Sequence, residues 1–190
     1  MKKIVCLALF MLVSIQGFSQ DMASLKANAQ KVYDYTVAHQ YEQIMDMTYP
    51  KLYDIAPKEA ILEILKKSFE GNDGFTIKMV AAPPNFIFGN IKKIGDQFFS
   101  VITHDNTMQI IWDEAIPNLE IQEYIDMFKK TMKTENVSYD PANKTMNIKT
   151  GAKMIAISDD LTKKQWKFLT YNEQVFSKIF DEKIKAELGL

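Results

Sequence analysis

Three segments near the start of the chain carry apolar side chains at the three- to four-residue spacing of amphipathic helices. The first covers residues 22–38 and the second covers residues 41–48. The second should end before Pro50, because the residue that precedes a proline avoids helical backbone angles. Pro57 suits the first position of a third helix, for which Gly71 is a natural C-terminal stop. The apolar stripe of this third helix consists of Ile61, Ile64, Leu65 and Phe69.

The pattern changes at Phe75, where segments rich in β-branched and aromatic residues follow one another between turn signals. Pro83-Pro84 separates the first two of these segments, and Gly95-Asp96 suits a tight hairpin turn before the third. The predicted strands cover residues 75–82, 85–94, 97–112, 137–139, 145–149, 153–158 and 165–171.

Helical spacing returns twice within this second part of the chain. It covers residues 116–133, and it begins again after Asn172, which suits the N-cap of a final helix. The apolar stripes of these two helices consist of Ile121, Tyr124, Ile125, Phe128 and Met132, and of Phe176, Ile179, Phe180 and Ile184.

Helices first and hairpin-linked strands afterwards predict an α+β fold. In the predicted arrangement, N-terminal helices pack on one face of a curved antiparallel sheet, with an inserted helix and a C-terminal helix. A cystatin-like arrangement, in which a helix lies on a sheet, is the alternative. Because no linker, repeat or low-complexity stretch interrupts residues 20–190, we predict a single domain there.

Residues 33–52, with the sequence YDYTVAHQYEQIMDMTYPKL, connect this element order to a known family. They resemble the helix, short break, second helix and Tyr-Pro exit of exported bacterial members of the nuclear-transport-factor-2-like (NTF2-like) superfamily. The resemblance extends to the order of elements over residues 22–171 and includes no catalytic signature. It implies N-terminal helices folded over a strongly bent sheet, which would leave a cone with an apolar mouth.

Residues 1–19 have the layout of a secretory signal peptide. Two lysines supply the positive start, residues 4–15 form an apolar run, and the small residues Gly17 and Ser19 follow. A membrane anchor is the alternative, but a spanning helix needs about 20 apolar residues. We therefore expect this segment to be removed, and the mature protein to act in the periplasm or outside the cell without a membrane span.

The mature protein should begin at Gln20 or Asp21, because Gly17 and Ser19 are the small residues that follow the apolar run. Intact-mass spectrometry of the exported protein measures the cleavage point directly. Recovery of an uncleaved chain that starts at Met1 from a membrane fraction would contradict the prediction.

Composition excludes several classes of function. All 23 basic residues are Lys and 24 residues are acidic, so the net charge is −1. Arg, whose planar guanidinium binds phosphate through two hydrogen bonds, is absent, and no basic excess replaces it, so we expect no nucleic-acid partner.

Cys6 is the only cysteine, which excludes an internal disulfide and leaves the mature chain without a thiol. No glycine-rich phosphate loop, GxSxG or HExxH motif is present, and we predict neither a cofactor nor a metal.

The two histidines are the first candidates for chemistry. His39 lies at the break between the first two helices, and we interpret it as a helix-end residue. The role of His104 depends on the form of residues 97–112. If they form one strand, alternate side chains share a face, and His104 and Asn106 lie among apolar residues. If residues 104–107 form a hairpin turn instead, both are ordinary turn residues.

A continuous strand would turn Asp105 to the opposite face, so Asp105 could not pair with His104. It would also point one row of side chains into the same interior as the tyrosines of the first helices. The candidate pocket consists of His104, Asn106, Met108, Trp112, Tyr33 and Tyr49.

We predict from these features an exported, non-enzymatic protein that binds a small ligand or an envelope protein through a concave face. The alternative is a small cone-fold enzyme, an isomerase, dehydratase or hydrolase, with His104 as general base. A purely structural role in envelope assembly is a third possibility. The sequence assigns no catalytic residue and no oligomeric state.

Overall fold

The computed structural model describes residues 22–71 and 74–190, and three α-helices come first in this part of the chain. Helix α1 covers residues 22–37, α2 is Tyr41–Met47 and α3 is Lys58–Glu70. These bounds confirm the three predicted helices to within one residue at each end. A 3-10 helix, Pro50–Asp54, lies between α2 and α3 and was not predicted. The predicted signal peptide, residues 1–19, lies outside the described residues.

Helix α3 differs from its prediction in two details. Pro57 is the N-cap and Lys58 is the first helical residue, so the proline precedes the helix. Ile64 was expected in the buried stripe, but 63% of its surface is exposed. Residues 61, 65 and 69 repeat at the four-residue spacing of the partly buried side, and Ile64 falls to one side of that row. The helix ends as expected at Gly71, whose positive φ of 76° favours glycine.

The strands form one seven-stranded antiparallel sheet, which confirms the α+β class. The strands are β1 (Phe75–Met79), β2 (Ile87–Phe88), β3 (Lys92–Ile94), β4 (Gln97–Trp112), β5 (Val137–Asp140), β6 (Thr145–Ser158) and β7 (Lys167–Thr170). The two long strands, β4 and β6, pair along nearly their whole length. The three shorter strands β1, β2 and β3 pair with the outer side of β4, while β5 and β7 pair with the outer side of β6.

Strand β4 is continuous through residues 104–107, so the hairpin-turn alternative is wrong. Two segments predicted as separate strands, 145–149 and 153–158, are likewise joined in β6, because residues 150–152 pair in register with residues 104–106. The predicted strand 85–94 is instead divided into β2 and β3. Gly89 lies between them, and a Cβ atom there would lie 2.8 Å from the Val101 carbonyl oxygen. The predicted turn at Gly95-Asp96 is confirmed.

The face of β4 and β6 that carries His104, here called the cavity face, is covered by α1 at one end and by α4 (Ile121–Met132) at the other. Leu25 and Ala29 of α1 pack in a buried cluster with Ile102 and Ala156. Near the other end, α4 packs against a second cluster formed by Ile110, Met146 and Ile148. The region between these clusters holds the candidate site.

The opposite face of the sheet is covered by two short C-terminal helices, α5 (Glu173–Ile179) and α6 (Glu182–Leu188). One final helix was predicted, but Phe180 takes an extended conformation and Asp181 caps a new helix by accepting a hydrogen bond from the Ile184 N–H. The predicted cap at Asn172 is confirmed, since its side chain accepts from the Val175 N–H. Helices therefore cover both faces of the sheet. Among the described residues, none of the helices has the length and apolar character needed to cross a bilayer.

Candidate functional site

A cavity of about 340 Å³ lies between the N-terminal helices and the cavity face of the sheet. Helices α1, α2 and α3 line one side, mostly with apolar side chains such as Val32, Ile44 and Leu65. His104 and Asn106 of β4 lie on the sheet side, together with Ala152 and Met154 of β6. Ala152 is the register partner of His104, so a small side chain stands beside the imidazole and leaves space next to it.

Two aromatic rings hold the imidazole of His104 in place. The Tyr33 ring meets it edge to face at 6.2 Å between centroids, and the Phe86 ring lies at 5.6 Å. Tyr33 is itself fixed, because its hydroxyl donates a hydrogen bond of 2.7 Å to the Ala82 carbonyl. The imidazole is therefore oriented by packing from two elements before any ligand binds.

The hydrogen bonding of His104 determines which nitrogen can meet a ligand. Its Nδ1 lies 3.2 Å from the carbonyl oxygen of Asp105. A carbonyl oxygen only accepts, so this contact is a hydrogen bond when Nδ1 carries the proton. In that tautomer Nε2 is left with a free lone pair and acts as an acceptor.

Burial lowers the pKa of His104 below its ordinary value, and this effect exceeds the opposing influence of the Asp105 carbonyl and carboxylate. The imidazole is consequently neutral at pH 7. Among the described residues that line the cavity, none is an Asp, Glu or Lys. The cavity is therefore uncharged at neutral pH.

The carboxylate of Asp105 points away from His104, as predicted for neighbours in an extended strand. It accepts a hydrogen bond of 2.8 Å from the Asn85 side chain and lies 3.3 Å from the Lys149 ammonium. The Asp105 carboxylate therefore makes its contacts on the opposite face of the sheet, and it forms no dyad with His104.

Three of the six candidate pocket residues, Tyr33, His104 and Asn106, line the cavity together. Met108 and Trp112 share the cavity face but lie beyond the cavity, where α4 covers them. The Trp112 ring packs there against Tyr124, at 6.0 Å between centroids. The structure does not bring these two residues to the site.

Tyr49, the sixth candidate, lies on the opposite face and is fully buried. Its hydroxyl donates a hydrogen bond of 2.7 Å to the carboxylate of Asp159, which also accepts one of 2.8 Å from Gln97. Its ring stacks on Phe180. The side chain therefore belongs to the core beneath α5 and α6, outside the cavity.

Several lining residues had no signal in the sequence. Thr36 and Thr48 face the cavity from α1 and from the end of α2, and Phe86 approaches from the loop before β2. Their positions depend on how the helices lie across the sheet, which residue spacing does not reveal. Ala152 had a weak signal, because the three small residues Thr150-Gly151-Ala152 interrupt the alternation of apolar and polar residues along this strand.

His39 lies at the end of α1, as interpreted from the sequence, with a positive φ of 53°. Its ring packs on Phe69 of α3 at 4.6 Å between centroids. Within residues 22–71 and 74–190, no group of three or more His, Cys, Asp or Glu side chains is arranged to hold a metal ion.

Comparison with known proteins adds no family to this description. The chain matches no protein-family model, and it matches no curated protein sequence.

Proposed function

We propose that the protein is an exported, non-enzymatic binding protein of NTF2-like type, which takes a small molecule into the cavity beneath α1, α2 and α3. One observation carries the proposal. The cavity, of about 340 Å³, has a mostly apolar lining, and two polar side chains of one strand, His104 and Asn106, lie together on its sheet side. Concave apolar pockets with a few placed polar groups are the usual sites for small ligands.

The signal-peptide pattern of residues 1–19 and the element order of residues 22–171 support the other parts of the proposal. Export would place the protein where it meets molecules of the periplasm or the medium. The helices over the sheet are the feature that the NTF2-like resemblance implies.

A small enzyme that uses His104 as general base is the second candidate. The neutral imidazole favours it, because a general base must be unprotonated at working pH. Binding is the better-supported function, since the cavity's described lining offers no carboxylate or lysine to act as a partner acid. Recovery of a bound compound unchanged after long incubation supports binding. Its conversion by the wild type but not by His104→Ala would establish the enzyme.

Replacing His104 with alanine should weaken binding of 2-naphthol, a neutral probe with one hydroxyl, by about three- to tenfold. The substitution removes a hydrogen-bonding group from the cavity, while the backbone pairing of residue 104 with Ala152 does not use the imidazole. Chemical shifts in a titration followed by NMR give the dissociation constant, and urea unfolding gives the stability.

Thr103→Ala is the matched control, because Thr103 lies next to His104 on the opposite face of β4 and does not line the cavity. This variant should bind 2-naphthol as the wild type does. A His104→Ala protein with unchanged affinity and a loss of 1 kcal/mol or more of stability would make His104 a structural group.

A further inference from the structure

The polar groups of the cavity divide into those already bonded within the protein and those free for a ligand. On the helical side, three hydroxyls donate to backbone carbonyls: Tyr33 to Ala82, Thr36 to Val32, and Thr48 to Ile44. Each of these three hydroxyls already donates its proton to a backbone carbonyl, so it has no proton left to donate to a ligand.

The sheet side retains its hydrogen-bonding capacity. Nδ1 of His104 is used by the Asp105 carbonyl, which leaves Nε2 as an acceptor. The side-chain amide of Asn106 has no hydrogen bond to another residue in the described part of the chain. His104 and Asn106 are two residues apart on one face of β4, so their Cα atoms lie about 7 Å apart. An acceptor and an amide donor thus stand side by side at the sheet end of an apolar space.

The charge of a ligand is restricted by the same lining. A carboxylate or ammonium group in the cavity would lose water and find no opposite charge among the described lining residues. Burial of an ion without a partner is strongly unfavourable. The nearest acid in sequence, Asp105, is committed to Asn85 and Lys149 on the other face.

The size of the cavity limits the length of the ligand. A buried apolar cavity of about 150 Å³ holds one benzene molecule. In proportion, the cavity of about 340 Å³ holds roughly a dozen non-hydrogen atoms.

We propose that the ligand is an uncharged amphiphile of about a dozen non-hydrogen atoms that carries a hydroxyl group. The hydroxyl donates to Nε2 of His104 and accepts from the Asn106 amide, and the apolar body lies against Ile44, Met45 and Leu65. The inference rests on the proposed function, since it names the chemical class that the same cavity takes.

Four ten-carbon probes of equal length test this inference: 1-decanol, 2-decanone, decanoate and decylammonium. Isothermal titration calorimetry with the wild-type protein at pH 7 should give the tightest binding for 1-decanol. 2-Decanone should bind about tenfold more weakly, because its carbonyl cannot donate to Nε2. Decanoate and decylammonium should each bind at least tenfold more weakly than 1-decanol, because both are charged.

A His104→Phe variant tests the role of the imidazole. It keeps an aromatic ring between Tyr33 and Phe86 but removes the acceptor, so the preference for 1-decanol over 2-decanone should fall to about one. Thr103→Ala should keep the preference of the wild type. The wild-type series does not depend on the folding of either variant.

The outcomes distinguish a failure of the inference about ligand class from a failure of the proposed function. If decanoate or decylammonium binds as tightly as 1-decanol, or 2-decanone does, the inference about ligand class is overturned while small-molecule binding stands. If none of the four probes binds, the proposed function itself is contradicted.

Discussion

Replacing Phe180 with alanine should lower the free energy of unfolding by about 3–5 kcal/mol. Only 6% of Phe180 is exposed, and its ring contacts three other aromatic rings. The ring centroids of Phe176, Phe99 and Tyr49 lie 5.0, 5.3 and 5.7 Å away. Truncation leaves a void at the junction of α5, α6 and the sheet. The surrounding structure relaxes only partly into such a void, so most of the lost contacts are not replaced.

Urea unfolding measures this loss, and Leu119→Ala is the control because 99% of Leu119 is exposed. The control should change stability by about 0.5 kcal/mol or less. Neither protein should respond to a reducing agent, since Cys6 is the only cysteine and no internal disulfide can form. A Phe180→Ala protein as stable as the Leu119→Ala protein would show that this junction is not part of the core.

The spacing of apolar residues located the helices, although α4 begins at Ile121, later than the predicted residue 116, and the predicted C-terminal helix is two helices. For residues 97–112 the sequence left a continuous strand and a hairpin turn as alternatives, and the structure decided for the strand. Local patterns favour these elements: the row at 61, 65 and 69 gives α3, and the β-branched and aromatic residues of 97–112 favour β4. Alternation also placed His104 and Asn106 on one face and Asp105 on the other, which the structure confirms. Phe128, predicted in the stripe of α4, is only partly buried there.

The candidate residues that lie outside the cavity show what residue alternation could not predict, namely the position along a face. Trp112 shares the face of Asn106, but six residues of strand separate them by about 20 Å. Helices α1 and α4 cover different parts of this long face. Trp112 lies outside the cavity because α4 packs on its part of the face. Residue alternation identifies a face, whereas the cavity occupies only part of one.

The position of Tyr49 could not be predicted for a different reason: it depends on a long-range backbone contact. The Tyr49 N–H donates to the Phe168 carbonyl, so the chain leaving α2 pairs with the outer edge of β7. This contact turns the tyrosine towards the opposite face, where Asp159 accepts its hydroxyl. More than a hundred residues separate the two side chains, so no local pattern predicts the pair.

The carboxylate of Asp159 is the most deeply buried charge described in the protein, with 7% of the residue exposed. Burial alone raises the pKa of this carboxyl, but hydrogen bonds from Tyr49, Gln97 and Thr162 outweigh burial and lower its pKa below the ordinary value. The Thr162 N–H donates to the second carboxylate oxygen at 2.9 Å, which fixes the turn after β6. Because the folded-state pKa lies below that of the unfolded chain, the carboxylate contributes fully to stability at neutral pH. That contribution declines as the pH falls below about 4 and through the folded-state pKa.

Replacing Asp159 with asparagine should therefore cost about 2–3 kcal/mol at pH 7, because hydrogen bonds to a charged acceptor are lost and an amide N–H₂ faces other donors. Asp160→Asn is the matched control: the Asp160 side chain is 88% exposed and forms an ion pair with Lys164 at the surface, so its loss should cost about 0.5 kcal/mol or less. Urea unfolding at pH 7 and pH 3 measures both variants. The difference between Asp159→Asn and the wild type should shrink at pH 3, where protonation removes the advantage of the wild-type carboxylate. Equal costs for the two variants at pH 7, or a difference that does not change with pH, would show that the Asp159 carboxylate does not stabilise the core beneath α5 and α6.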